Sequence, residues 1–266
     1  MRMRLALAVA VLLGGGGWLS ARQTPQGFDL LLLNGRVVDG TGAPWFRADV
    51  GITGDRITSI GRLTEATARL RIDASGLVVA PGFIDMLGQS ELSLLTDPRA
   101  ASKLTQGVTT ELTGEGSSAG PTNDRMIADD ATLLERRHIN VDWRSFGEYL
   151  TRLNDRTKPA INLGSFVGAG GVRNLVIGRA DRPATPAELE AMKREVARAM
   201  QEGAFGLSSS LQYVPDRFAS TSELVELSKV AAQYGGIYIT HQRSESGRIF
   251  ESLDEIFAIA EQAKIP

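Results

Sequence analysis

From residue 79 to the end of the chain, strand-length apolar runs alternate with helix-length amphipathic segments, and this alternation restricts the fold more than any other feature. Strands are expected at 79–86, 108–113, 160–167, 205–208 and 237–240. Helices are expected between them. One covers 97–106, with Pro98 confined to its start. A second covers 143–154, capped by Asp142. A third opens at Thr185-Pro186-Ala187-Glu188, a capping box with proline at the first helical position, and runs to 202. A fourth starts at Ser220 or Thr221 and stops at Gly235-Gly236. A fifth covers 251–263. Strands joined by crossover helices lie parallel. They close into a (β/α) barrel of eight strands or stay open as a doubly wound sheet. Five strands precede Pro266, so the expected fold is α/β, an incomplete TIM-type barrel over 79–266.

Ahead of it, residues 28–78 read as a small β-domain. Short alternating runs at 30–34, 36–39, 48–53, 56–60 and 69–73 are separated by the turn signals Asn34-Gly35, Asp39-Gly40, Thr53-Gly54-Asp55 and Ser75-Gly76. Residues 1–21 read as a signal peptide. Arg2 and Arg4 precede an apolar stretch at 5–13, and Trp18-Leu19-Ser20-Ala21 offers a small-residue cleavage site. The stretch is about half of the roughly 20 residues a spanning helix needs. The expected location is therefore exported, periplasmic or extracellular, with no stable membrane span.

Composition narrows the chemistry. The net charge is −2, so no global field favours nucleic acid. Cysteine is absent, which excludes disulfides and thiolate ligands, and only two histidines occur, His138 and His241. A metal site within the chain must lean on carboxylates or amides.

The polar residues that carry chemistry cluster after the expected strands, where barrel enzymes place their sites. His241 follows Ile237-Tyr238-Ile239-Thr240; it reads as a ligand or as a hydrogen-bonded core histidine. Glu115 ends the run that starts at Val108, and is a metal ligand or a solvated loop carboxylate. Leu87, Gln89 and Glu91 share one strand face after the first run. Gln89 and Glu91 read as substrate-binding or water-orienting groups, or as a polar rim. Tyr213, after Ser208-Ser209-Ser210, is a hydroxyl donor or a packed loop aromatic. Arg243 pairs with Glu245 or grips a substrate carboxylate. Gly168-Ala169-Gly170-Gly171-Val172-Arg173 lacks the third glycine of a dinucleotide fingerprint. His138, in Glu135-Arg136-Arg137-His138, reads as a solvated surface residue.

The segments LLLNGRVVDGTG, DVGITGDRITSIG, PGFID, QGVTTELTGEG, GAFGLSSSLQYVP and YITHQRSES occur in collinear order from about Phe28 onward. Together they resemble the amidohydrolase superfamily and, within it, the N-acyl-D-amino-acid deacylase branch. The resemblance implies a β-sandwich-like N-terminal domain, completed by C-terminal strands, and zinc-dependent hydrolysis of a non-peptide C–N amide bond. It implies His241 as a metal ligand and Tyr213 as a contact near the scissile amide. The general-base aspartate and a further histidine are expected beyond Pro266.

Three positions depart from the pattern. The His-x-His that follows PGFID is Leu87-x-Gln89. The cysteine of the T-G-N-C-G segment is Gly116, with Glu115 before it. The histidine of a GHGxxR segment is Ala169. These departures imply one zinc ion rather than two, bound by Glu115, His241 and a ligand beyond residue 266. Tyr213, Arg243 and Gln89 are the expected contacts for an N-acyl amino acid or related amide, and the chain by itself is expected to be inactive. The alternatives are a non-catalytic exported binding protein on a degenerate scaffold, and a cyclic amide or dipeptide hydrolase.

Overall fold

A computed structural model describes residues 27–266, so the expected signal peptide lies outside the described residues. The chain divides into two compact units, one ending at Pro81 and the other spanning Gly82–Pro266.

The first unit is built on one sheet of five strands: β1 (Phe28–Val37), β2 (Phe46–Thr53), β3 (Arg56–Gly61), β4 (Ala68–Asp73) and β5 (Val78–Val79). The order is β3-β2-β1-β4, and β5 pairs with the end of β1. β2 lies antiparallel to β1, whereas β4 and β5 run parallel to it. The expected turn at Asn34-Gly35 is instead a bulge within one continuous strand, where the register against β2 shifts between Leu32 and Gly35. Asn34 adopts a left-handed φ of 61°. Its backbone N–H donates to Asp49 Oδ1 at 2.8 Å and its amide to Asp73 Oδ1 at 3.0 Å, so side chains hold the extra residue that would otherwise turn the chain. Gly35 has no room for a side chain, since a Cβ there would meet Val79 Cγ2 at 2.6 Å.

The second unit carries the expected alternation. Its strands are β6 (Phe83–Asp85), β7 (Val108–Thr113), β8 (Asn162–Ser165), β9 (Val167–Gly168), β10 (Gly206–Ser210) and β11 (Ile237–His241). All pairings are parallel, in two ladders, β6-β7-β8 and β9-β10-β11. A single residue, Phe166, separates β8 from β9, and its N–H donates to Thr113 O at 2.9 Å. The strands thus follow one another in chain order, with β8 and β9 as two parts of one crossing.

Helices fill the connections: α1 (Ser93–Thr96), α2 (Ala101–Leu104), α3 (Asp124–Asp129), α4 (Ala131–Arg136), α5 (Phe146–Arg152), α6 (Ala169–Val176), α7 (Pro186–Gln201), α8 (Thr221–Gln233) and α9 (Ile249–Ala263). The Thr185 capping box forms as expected, and Ser220 caps α8. Two expectations fail locally. The helix expected over 97–106 shrinks to α2. The cap of α5 is Ser145 rather than Asp142: Ser145 Oγ accepts from Glu148 N at 3.1 Å, and Glu148 accepts from Ser145 N at 3.0 Å. Asp142 pairs with Arg152 and Arg156 instead.

The core follows the helical period. α7 buries Met192, Val196, Ala199 and Met200, spaced to form one stripe. They pack with Val167 and Leu207 of the strands, with Leu224 and Leu227 of α8, and with Ile259 of α9. A second cluster, Leu94, Trp143, Tyr149, Leu153 and Ile161, lies under α5. Burying a side chain of this size contributes about 1.5–3 kcal/mol. These two clusters hold the strand ends in place, and the polar residues gather at those ends.

Candidate functional site

The C-terminal ends of the strands in the second unit open into a cavity of about 740 Å³. Gln89, Glu115, Tyr213 and His241 all line it, although they come from the segments after β6, β7 and β10 and from the last position of β11. His241 is the last residue of β11, in register with Ser210 of β10. Glu115 sits in the turn two residues past β7.

The fold brings Glu115 and His241 together: Glu115 Oε1 lies 3.5 Å from His241 Nδ1, with both side chains mostly but not wholly covered. Gln89 donates its amide to the other Glu115 oxygen at 3.3 Å. Glu245 Oε1 lies 3.6 Å from the opposite ring nitrogen, His241 Nε2. The Tyr213 ring meets the imidazole edge-on, with centroids 5.3 Å apart. Tyr213 is exposed, and its hydroxyl has no hydrogen-bond partner among the described residues.

Donors bound about 2.0–2.1 Å from a tetrahedral zinc lie roughly 3.4 Å from one another. The separation of Glu115 Oε1 from His241 Nδ1 matches that spacing, and a carboxylate with an imidazole is a fitting donor set for zinc. Among the described residues no group of three or more histidine and carboxylate side chains gathers to complete it. The described residues therefore bring together two groups of the kinds that can bind zinc, Glu115 and His241.

Arg243 has a different setting from the one expected. It pairs with Glu255 of α9, not with Glu245, through Nε at 2.8 Å and Nη2 at 2.9 Å. It also donates to the carbonyls of Arg217 and Ala219, both at 3.0 Å. A forked guanidinium prefers a two-point carboxylate partner, and the well-covered Glu255 offers it better than the exposed Glu245. Arg243 is not part of the cavity lining. Glu91 lines the cavity, yet it accepts the Gly114 N–H at 2.9 Å, and burial pushes its carboxyl above the ordinary range. Leu87 is exposed and lies outside the lining, as does the buried Ala169. His138 is exposed, as read from its neighbours.

The sequence reading omitted three contributors. α3 and α4 wall the cavity with Met126, Leu133 and Leu134. Their signal was Asn123, which caps α3 by accepting the Met126 N–H at 3.0 Å. Asp216 lines the cavity while almost wholly buried. Its Oδ2 accepts the Ser210 N–H at 2.5 Å, its Oδ1 has no partner, and burial pushes its pKa up to about 7. Ser208 is fully buried beside the Glu115 turn.

No family model matches the chain. The chain is 39% identical over 242 residues to the D-aminoacylase of Alcaligenes xylosoxydans xylosoxydans, an alignment covering 91% of this chain and 50% of that protein. Among solved structures it is similar to the N-acyl-D-glutamate deacylase of Bordetella bronchiseptica complexed with zinc and a phosphonate inhibitor. The TM-score is 0.80 and the identity 33%, over 90% of this chain and 50% of the other. It is equally similar to a D-aminoacylase described for its binuclear metal centre, with a TM-score of 0.78 and 36% identity over 90% and 50% of the two chains. The chain spans about half the length of the relatives it matches. Over that half its homologues are D-aminoacylase and the N-acyl-D-amino-acid deacylases, 33–39% identical to it, and the solved structures it resembles include a D-aminoacylase described as an amidohydrolase.

Proposed function

We propose that this chain carries part of a metal-dependent site for hydrolysing the amide of an N-acyl-D-amino acid. The observation that carries the reading is the approach of Glu115 to His241 at 3.5 Å across a cavity at the ends of parallel strands. The relatives support the substrate class. The five strand crossings of the second unit are read as the first five of a (β/α) barrel, and the sheet of the first unit as part of a β-sandwich. The protein is read as exported.

Glu115 and His241 would hold a single zinc ion. Bound zinc supplies Lewis-acid polarisation of a carbonyl and a lowered pKa for water. The surrounding side chains do the rest. Gln89 holds the second oxygen of Glu115 and so fixes the carboxylate plane. Tyr213 sets its ring against the imidazole and lines the same cavity, and its hydroxyl would donate to an oxygen that gains negative charge. Met126, Leu133 and Leu134 offer apolar surface to the non-reacting part of the ligand. Arg243, already bonded on both sides of its fork, serves as a brace between α9 and the segment before α8. With two donors present, this chain alone is expected to show no hydrolysis.

The same shortage of donors favours a second reading, a non-catalytic binding protein on this scaffold. Metal analysis after dialysis against zinc separates the two. The enzyme reading expects zinc bound by the unaltered protein and lost in His241→Ala. Equal zinc content in the two proteins sinks it.

A further inference from the structure

Glu115 has little local reason to stay where it is. It lies between Gly114 and Gly116, both left-handed, with φ of 94° and 65°. Neither glycine admits a side chain: a Cβ on Gly114 would meet Phe166 O at 2.3 Å, and one on Gly116 would meet Ser210 Cβ at 2.3 Å. A turn with two glycines loses more conformational freedom on ordering than other turns do. Its shape must come from outside the turn.

Ser208, in the middle of β10, supplies that hold. Its hydroxyl accepts the Gly116 N–H at 3.1 Å and donates to the Gly114 carbonyl, and so brackets Glu115 from both sides. Val167 O lies 3.4 Å from the same hydroxyl. The Ser208 side chain is wholly buried, where both bonds are sheltered from water. Two further contacts complete the clamp. Glu91 accepts the Gly114 N–H at 2.9 Å, and Gly171 N at the start of α6 donates to Gly116 O at 3.0 Å. Among the described residues, Ser208 is the one side chain that hydrogen-bonds the turn on both sides of Glu115.

We infer that Ser208 is a positioning residue for zinc: its hydroxyl sets the Gly114–Glu115–Gly116 turn so that the Glu115 carboxylate faces His241 Nδ1. This rests on the reading of Glu115 and His241 as the metal pair. Neighbouring Ser209 is the internal control. It is equally buried, but its hydroxyl bonds Tyr238 Oη at 2.6 Å and Thr240 Oγ1 at 2.8 Å, away from the turn.

The test measures zinc affinity by calorimetric titration, with melting temperature alongside, for the full chain and the variants Ser208→Ala, Ser209→Ala, Glu115→Gln and His241→Ala. Both serine variants are expected to lower the melting temperature by similar amounts. Only Ser208→Ala is expected to weaken zinc, by about 10–100-fold, the usual cost of losing a partner that orients a ligand. Ser209→Ala should stay within about twofold of the unaltered chain. If Ser208→Ala does not fold, Ser208→Cys replaces it, keeping the volume while weakening both hydrogen bonds. Zinc affinity equal in the Ser208 and Ser209 variants, with zinc lost in Glu115→Gln and His241→Ala, overturns the positioning role and leaves the metal pair standing. No zinc binding by the unaltered chain, or binding undiminished in Glu115→Gln and His241→Ala, overturns the metal pair and the inference with it.

Discussion

Two of the pairs in the second unit that join a carboxylate to a nitrogen-bearing side chain, Arg173–Glu223 and His241–Glu115, differ in how much of their bonding capacity the protein itself uses. Arg173 of α6 meets Glu223 of α8 through Nη1, at 2.8 and 2.6 Å to the two oxygens, and donates a further bond to the Arg182 carbonyl. Their side chains are 0% and 5% exposed. Glu115 and His241 are 11% and 23% exposed, and their 3.5 Å separation is too long for a strong direct bond. The first pair is closed off from solvent and structural, and of its side-chain atoms only Arg173 Nε is left without a partner among the described residues. The second keeps lone pairs available at the edge of a cavity. Bonding capacity left over at a strand end, rather than charge or burial alone, is what marks a place for a ligand.

The largest effect should come from breaking the closed pair. Glu223→Gln leaves the Arg173 guanidinium buried against a neutral amide. Removing one partner of a buried ion pair costs about 3–5 kcal/mol. Urea denaturation should show that loss, whereas His241→Ala, at the open pair, should change stability by far less. A loss below about 1 kcal/mol for Glu223→Gln would remove the distinction between the two pairs.

Asp216 sits between these extremes, buried like the first pair yet lining the cavity of the second. Burial raises its folded pKa to about 7, above the 3.8 of an ordinary aspartate. The folded protein therefore holds a proton there that the unfolded chain has released between those two values. Stability from this group is full below about pH 4, falls as pH rises through about 7, and is then flat. The groups acting on it are Glu223 of α8, Arg173 of α6 and Arg243 after β11. Asp216→Asn keeps the shape without the titration. The difference in unfolding free energy between Asp216→Asn and the unaltered chain should grow in favour of the variant from pH 4 to pH 7. A difference independent of pH would mean that Asp216 is ionised throughout.

These contrasts were unevenly legible in the sequence. β7 was readable to the residue, because Val-Thr-Thr-Glu-Leu-Thr is rich in β-branched side chains and follows a glycine. The α7 cap was readable because the capping box and its proline are local signals. Asn34-Gly35 misled, since a pair that favours a turn also fits a bulge when Asp49 and Asp73, distant in sequence, bind the asparagine. α3 and α4 offered little beyond the Asn123 cap, because a helix of about six residues draws its stability from packing, not from its own pattern. Glu115 and His241 were each readable as strand-end polar groups. Their approach, and the Ser208 hydroxyl that supports it, depend on which strands lie side by side.

Tyr213 gives the finest division of the comparison, because it belongs to the open pair without being held by it. Its ring stacks edge-on against His241, but 59% of the residue is exposed and its hydroxyl is unpartnered among the described residues. Removing that oxygen leaves no buried polar group behind, so Tyr213→Phe should change stability by less than about 0.5 kcal/mol. If the hydroxyl donates to a ligand oxygen, its loss removes one hydrogen bond worth about 1 kcal/mol, or roughly fivefold in affinity. Titrating a phosphonate analogue of an N-acyl-D-amino acid into the zinc-loaded chain measures that ratio. Equal affinity in the two proteins would assign Tyr213 to the cavity wall. A melting temperature lowered by several degrees in Tyr213→Phe would assign it to packing, and would shift the boundary between the closed and open regions to include the loop after β10.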